Sequence, residues 1–131
     1  MHLLDVVDNL GKEKEHPVDY YRSFKEIVEY AGYNFDSDVV VTKDGYHLKM
    51  FRIRSNDVVQ KRDAPVVFLQ HGLLSSADCW IGHTAELAPA FQFAKNGYDV
   101  WLGNNRGNKH SRQHDTLSPD HDQIEFYNYD F

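Results

Sequence analysis

The spacing of apolar positions changes several times along the chain, and each spacing predicts a different element. Residues 1–22 are charged and polar without a clear period, and are expected to form a loosely ordered leader. Ser23-Phe24-Lys25-Glu26 has the form of a capping box, with the Ser hydroxyl covering a free backbone N–H and the Glu reaching back. Phe24, Ile27, Val28 and Ala31 follow at helical spacing, and Gly32 is placed to stop a short amphipathic helix. Val39–Thr42 and Tyr46–Ile53 are β-rich runs around Lys43-Asp44-Gly45, whose Asp-Gly pair signals a hairpin. In the second run Tyr46, Leu48 and Met50 alternate with polar residues. The apolar phase then moves to Phe51 and Ile53, which predicts a bulge near Met50.

After a polar loop over 55–64, Pro65 opens Val66-Val67-Phe68-Leu69, a continuous apolar run of the kind a doubly covered parallel strand shows. Residues 75–84 read as loop. Leu87, Ala90, Phe91 and Ala94 make a helical stripe that should pack into the core, with Pro89 in the first turn and Asn96-Gly97 as the stop. Tyr98–Leu102 is a second buried strand. From Gly103 onward the chain is polar and rich in His, ending on Phe126, Tyr127, Tyr129 and Phe131. The order is helix, hairpin, strand, helix, strand. Two apolar strands joined by a helix imply a parallel crossover, and with no repeat or internal linker the chain reads as one α/β unit.

Composition narrows the partners. A formal charge of -6 over 131 residues argues against a nucleic acid or an anionic membrane surface. Aromatics at 14% suggest a substantial core or a broad apolar contact surface. Cys79 stands alone, reads as a small buried hydrophobe, and permits no internal disulfide. The first apolar stretch is broken by Asp5 and Asp8, so it does not read as a signal peptide, and no run is long enough to span a membrane. His110, His114 and His121, with Asp115 and Asp122, lie among Asn, Gly, Ser and Pro; they are expected to be solvated loop residues and not a metal site.

Ligands of open α/β sheets bind beyond the carboxyl ends of the strands. Two such ends are visible, Gln70-His71-Gly72-Leu73-Leu74 and Gly103-Asn104-Asn105-Arg106-Gly107-Asn108. A His-Gly pair straight after a buried strand lets the chain turn tightly and leaves the next backbone N–H groups facing open space. If Gly72 needs a backbone shape denied to β-branched residues, Val would be poorly tolerated there.

These two ends, with Trp80-Ile81, Asn96-Gly97, Thr42–Tyr46, Ser118-Pro119 and Glu125-Phe126, resemble the acid lipases, the gastric and lysosomal lipase family. The resemblance runs in register from Ser23 to Phe131, so the division is a leader over 1–22 and a lipase-like region over 23–131. It implies the N-terminal portion of an α/β-hydrolase fold with an incomplete sheet. It also implies hydrolysis of neutral lipid or sterol esters by a Ser/Asp/His triad with no cofactor. The family's first oxyanion donor, the backbone N–H after His-Gly, falls on Leu73, with His71 and Gly72 shaping the turn. Arg106 is expected to brace loops through carboxylate or carbonyl contacts. The family is typically secreted or lysosomal.

The departure concerns the nucleophile. The Gly-x-Ser-x-Gly elbow occurs nowhere in these residues. Gly82-His83-Thr84-Ala85-Glu86 has Thr for Ser, lacks the second Gly and follows no strand. The chain is therefore expected to be the front of a lipase, inactive alone, with the triad and cap beyond Phe131. A non-catalytic protein that binds a full-length relative is the alternative. An epoxide hydrolase would share the His-Gly turn but not the Asn-Asn-Arg-Gly-Asn loop. Val66–Gln70 would be left as an apolar sheet edge, so self-association is expected.

Overall fold

The structure, a computed structural model, describes residues 21–57 and 63–129. Residues 1–20 of the expected leader and residues 58–62 of the loop after Ser55 lie outside the described residues. The elements run α1 (Phe24–Tyr30), β1 (Tyr33–Val41), β2 (Tyr46–Ser55), β3 (Val66–Gln70), a 3-10 turn (Ala77–Trp80), α2 (Pro89–Lys95), β4 (Asp99–Gly103), β5 (Gln113–His114) and α3 (Gln123–Tyr127). This is the expected mixed α/β order, with the hairpin preceding a β-α-β unit. Among the described residues no helix is long and apolar enough to cross a membrane.

The capping box closes α1. Ser23 N–H donates to the Glu26 carboxylate at 2.7 Å, and Ser23 Oγ accepts from Glu26 N–H at 3.3 Å. Phe24 and Val28 are the buried face of this helix. Phe24 packs on Phe51 of β2 with ring centroids 4.4 Å apart, and Phe35 of β1 lies 5.3 Å from the same Phe51 ring.

β1 begins at Tyr33, six residues before the Val39 start that its β-rich residues suggest. Tyr33 and Phe35 are half-buried while Asn34 and Asp36, which alternate with them, are exposed, the period of a strand covered on one face. Tyr33 stacks on Phe91 of α2 at 4.8 Å.

No bulge forms at Met50. The β1–β2 register is unbroken from Tyr33 opposite Ser55 to Val41 opposite His47. What changes is the covered face. In an unbroken strand residues 46 and 51 point to opposite sides. Phe51 and Ile53 join the main core, whereas Tyr46 meets Phe126 and donates its hydroxyl to the Phe126 carbonyl at 2.5 Å. The other edge of β2 also changes partner, pairing with β4 at Phe51–Ile53 and with β5 at Tyr46–His47. At Lys49, between these ladders, side chains replace the missing strand. Lys49 N–H donates to Ser111 Oγ at 2.9 Å, and Asn104 Nδ2 donates to the Lys49 carbonyl at 3.1 Å.

The main sheet has the order β1-β2-β4-β3, with β3 parallel to β4. Ala90, Phe91 and Ala94 of α2 are fully buried. Leu87, expected in that stripe, is exposed. The helix starts only at Pro89, and Leu87 N–H returns to Thr84 O at 2.9 Å, so this residue falls outside the helical period. A bidentate pair fastens β2 to β4, with Arg52 Nε and Nη2 each 2.7 Å from the Asp99 carboxylate. Its hydrogen bonds from Arg52 hold the Asp99 carboxyl below the usual range, against the effect of burial.

Candidate active site

Parallel strands deliver their carboxyl ends to the same side of a sheet. β3 and β4 end level, with Gln70 opposite Gly103. The two following loops enclose a cleft of about 730 Å³, lined on one wall by residues 71, 73–76, 78 and 79 and on the other by residues 105–109, with Tyr127 and Tyr129 at its side.

The first wall is a tight turn. Ser75 N–H donates to Gly72 O at 3.3 Å, and Leu74 holds φ 57°, the arrangement of a type II turn with Leu73 at its second position. The left-handed residue is thus Leu74, not Gly72. A Cβ added at Gly72 would meet nothing within 4 Å, and no special backbone shape is required there. Leu73 and Leu74 are 88% and 99% exposed, so their side chains do not hold the turn in place. Among the described residues, nothing accepts a hydrogen bond from Leu73 N–H.

His71, by contrast, is only 6% exposed. Its Nε2 accepts from Asn105 N–H at 3.0 Å and faces Asn108 Nδ2 at 3.1 Å. An amide N–H can only donate, so Nε2 is bare and the ring proton sits on Nδ1. Nδ1 then donates to the Gly72 carbonyl at 2.8 Å. Both ring nitrogens are committed, and His71 has no free lone pair with which to act as a base.

The second wall is organised by buried amides. Asn104 is 3% exposed and Ser111 1%. Asn104 Oδ1 accepts from Ala77 N–H and from Asn108 Nδ2, both at 3.0 Å, while Ser111 Oγ donates to Asn104 O at 3.1 Å. Asn108 Oδ1 accepts from the N–H groups of His110 and Ser111 at 2.9 and 3.1 Å. One loop therefore ties β2, the 3-10 turn and His71 together. Asn104, Asn108 and Ser111 carry this function, and reading single residues missed it. The available signal was the density of Asn directly after a buried strand.

Arg106 braces the cleft as expected. It pairs with Asp44 in the hairpin turn, and its guanidinium lies over the rings of Tyr46 and Tyr129 at 4.6 and 5.1 Å. Asp78 is a second clamp. Burial pushes its carboxyl up, but hydrogen bonds from His110 at 2.5 Å, Lys109 at 2.6 Å and Ser76 at 2.6 Å outweigh this and hold it far below the usual range. Cys79, expected to be buried, is exposed, because its neighbour Ala77 is the residue the 3-10 turn commits to the core.

The other loop histidines disperse. His114 Nε2 contacts Asp44 O at 2.7 Å, and Asp115 pairs instead with His47 at 2.8 Å. His71 and Leu73 thus line the cleft, with Gly72 between them in the turn but not among the lining residues, whereas Thr84 of the elbow-like Gly82–Glu86 segment lies in the turn before α2. Neither Ser75 nor Ser76 stands on a strand–turn–helix elbow, and the Ser76 hydroxyl is spent on Asp78.

Two family models match the chain. The partial α/β-hydrolase lipase region matches residues 24–84, and the α/β hydrolase fold matches residues 65–131. Lipase member K of Mus musculus is 43% identical over 110 residues, covering 82% of this chain and 28% of that protein. Gastric triacylglycerol lipase of Bos taurus is 39% identical over 123 residues, 92% of this chain and 31% of that protein. Human lysosomal acid lipase/cholesteryl ester hydrolase is 44% identical over 108 residues, 80% of this chain and 27% of that protein. The chain spans between about a quarter and a third of the length of these curated relatives.

Proposed function

Because the chain belongs to the acid-lipase branch of the α/β-hydrolases, we propose that it is the N-terminal segment of a lipase-type carboxylic ester hydrolase acting on neutral lipid or sterol esters. In this reading it supplies half of the oxyanion hole. The Ser/Asp/His triad belongs to a part of the enzyme outside these 131 residues, which contain no Gly-x-Ser-x-Gly elbow.

The observation that carries the proposal is the Leu73 N–H, which has no acceptor among the described residues and lies past the carboxyl end of β3 beside the cleft. When a nucleophile attacks an ester carbonyl, the oxygen gains a full negative charge. A fixed N–H stabilises that charge more than it stabilises the neutral ester, and this difference lowers the barrier. The exposed Leu73 and Leu74 side chains give the rim of the cleft an apolar character suited to an acyl chain.

The sheet edge supports a further part of the proposal. Among the described residues β3 pairs with β4 alone, and Val66 and Phe68 are more than half exposed. An apolar strand with open N–H and C=O groups is a template for another strand, so the isolated chain self-associates.

The test of function is labelling with a fluorophosphonate probe together with hydrolysis of a short-chain chromogenic ester. The 131-residue chain should be unlabelled and inactive, and a product that carries this segment with a nucleophile elbow should be labelled. Turnover by the short chain that disappears in Ser75→Ala or Ser76→Ala would overturn the proposal.

A further inference from the structure

We infer that Asn108 is a positioning residue that sets the direction of the Leu73 N–H by fixing the protonation pattern of His71. The inference rests on the oxyanion reading for its functional meaning, though not for its geometry. The Gly72 carbonyl and the Leu73 N–H belong to one peptide unit. No peptide bond in the described chain is cis, so the two groups point in opposite directions within one plane. Whatever holds the carbonyl therefore aims the N–H.

Two donors hold that carbonyl, Ser75 N–H at 3.3 Å and His71 Nδ1 at 2.8 Å. The shorter contact exists only while Nδ1 carries the proton. A neutral imidazole has one N–H, and which nitrogen carries it is set by what faces the other. Here Nε2 faces two donors, the Asn105 backbone N–H and the Asn108 side-chain amide. A proton on Nε2 would meet an N–H on each side. The ring proton is thereby confined to Nδ1 and the Gly72 carbonyl is kept bonded.

Asn108 itself has no freedom to present its oxygen instead. Its Oδ1 already accepts from His110 N–H and Ser111 N–H, and its Nδ2 also donates to Asn104 Oδ1. Rotating the amide would break all of these contacts at once. The chain of control runs from buried Asn104 through Asn108 and His71 to the Gly72–Leu73 peptide. It explains why a turn tipped by two almost fully exposed leucines can still hold a backbone N–H in one direction.

Asn108→Asp separates this role from a merely structural one. It keeps both acceptor contacts of Oδ1 and replaces the donating nitrogen, putting a carboxylate oxygen against Nε2 at the cost of the bond to Asn104 Oδ1. The test uses the 131-residue chain with ¹⁵N-labelled histidine, read by NMR in solution or as a solid near neutral pH. The His71 signals are assigned by their loss in His71→Asn. In the unsubstituted chain, Nδ1 should be protonated and Nε2 bare. In Asn108→Asp, Nε2 should gain a proton while the other histidine signals stay in place. A His71 ring already protonated on Nε2, or two His71 nitrogen signals unmoved by Asn108→Asp, would overturn the inference.

A second measurement connects this to the reaction, using the complete hydrolase that carries the segment. His71→Asn keeps a donor opposite the Gly72 carbonyl, whereas His71→Gln keeps only the acceptor opposite Asn105. His71→Gln and Asn108→Asp should lower kcat about tenfold with KM little changed, a part of the roughly 10²–10³ lost with a whole oxyanion donor. His71→Asn should recover most of that rate. Equal loss in His71→Asn and His71→Gln would also overturn the inference. If instead Leu73→Pro folds and turns over normally, the oxyanion reading fails while the ring-nitrogen result stands.

Discussion

His71 and Asn105 are 34 residues apart in sequence, yet the backbone N–H of Asn105 donates to the His71 imidazole at 3.0 Å across the mouth of the cleft. This bond joins the loop after β3 to the loop after β4, so the two walls move as one body. The parallel pairing of Gln70 with Gly103 brings the loops to the same level, and the imidazole spans the remaining distance. Replacing His71 with Phe keeps a planar ring, though a larger one, and removes every hydrogen bond of the side chain. Each neutral hydrogen bond contributes about 0.5–1.5 kcal/mol, and buried donors left bare cost about 1–3 kcal/mol. His71→Phe should therefore destabilise the chain by about 2–4 kcal/mol, measured by urea titration. A loss below about 0.5 kcal/mol would mean that the walls are held by other contacts.

Gly72 and Gly107 should respond in opposite ways to alanine. At Gly72 a Cβ has open space. Gly107 sits at φ +81°, and a Cβ there would lie 2.7 Å from the Tyr127 ring. The left-handed conformation costs a residue with a Cβ about 1–2 kcal/mol before any clash. Gly72→Ala should leave the denaturation midpoint nearly unchanged, and Gly107→Ala should lower it clearly. Leu74→Gly should raise stability by about 1 kcal/mol, since it relieves the left-handed leucine at φ 57° at a position with almost no packing to lose. Thermal melts of the three variants read all of these effects.

Acid should loosen the fold through two carboxylates. Asp99, hydrogen-bonded by Arg52, and Asp78, hydrogen-bonded by His110, Lys109 and Ser76, both have folded-state values below their ordinary range. An unfolded Asp titrates at about 3.9, so below that pH the unfolded chain binds more protons than the folded one. Their stabilisation is complete above about pH 4–5 and is lost as the pH falls through the lowered folded values. Stability measured from pH 6 to pH 2 should drop on the acid side, and Asp99→Asn should flatten part of that slope. A profile unchanged by Asp99→Asn would show that the pair with Arg52 is not coupled to folding.

Much of this fold was legible because burial writes a simple pattern. Val100-Trp101-Leu102 is an apolar run because β4 is buried in the sheet, and Asp44-Gly45 marks the hairpin. Val66-Val67-Phe68-Leu69, by contrast, reads as doubly covered although β3 is a sheet edge among the described residues and only Leu69 of the run is buried. The first half of β1 was not legible, since Asn34, Asp36, Ser37 and Asp38 are poor strand formers. Pairing with β2 and the inward Tyr33 and Phe35 override that preference. The phase shift at Met50 was visible, but its cause was not. A change of covered face and a bulge look alike along one chain, and only Phe126, 80 residues after Tyr46, separates them. For the same reason His71, Gly72 and Leu73 could be placed at a strand end, while Asn104, Asn108 and Ser111 could not be given roles. Their partners are distant backbone groups that leave no mark on local spacing.

The open edge of β3 predicts association. Size-exclusion chromatography with light scattering should show oligomers of the purified chain. Val66→Lys and Phe68→Lys together should shift them towards monomer by charging the exposed positions of that strand. A monodisperse monomer from the unsubstituted chain would show that the edge is protected.

The direct test of the oxyanion assignment is the turnover of Leu73→Pro against Leu73→Ala in the complete hydrolase. Proline suits the second position of the turn that Leu73 occupies, so the fold should survive while the N–H is removed. Alanine keeps the N–H and deletes only an exposed side chain. We predict near-normal turnover for Leu73→Ala and a loss on the order of 10²–10³ for Leu73→Pro. Comparable turnover in the two variants, with the proline variant folded, would contradict the role assigned to Leu73.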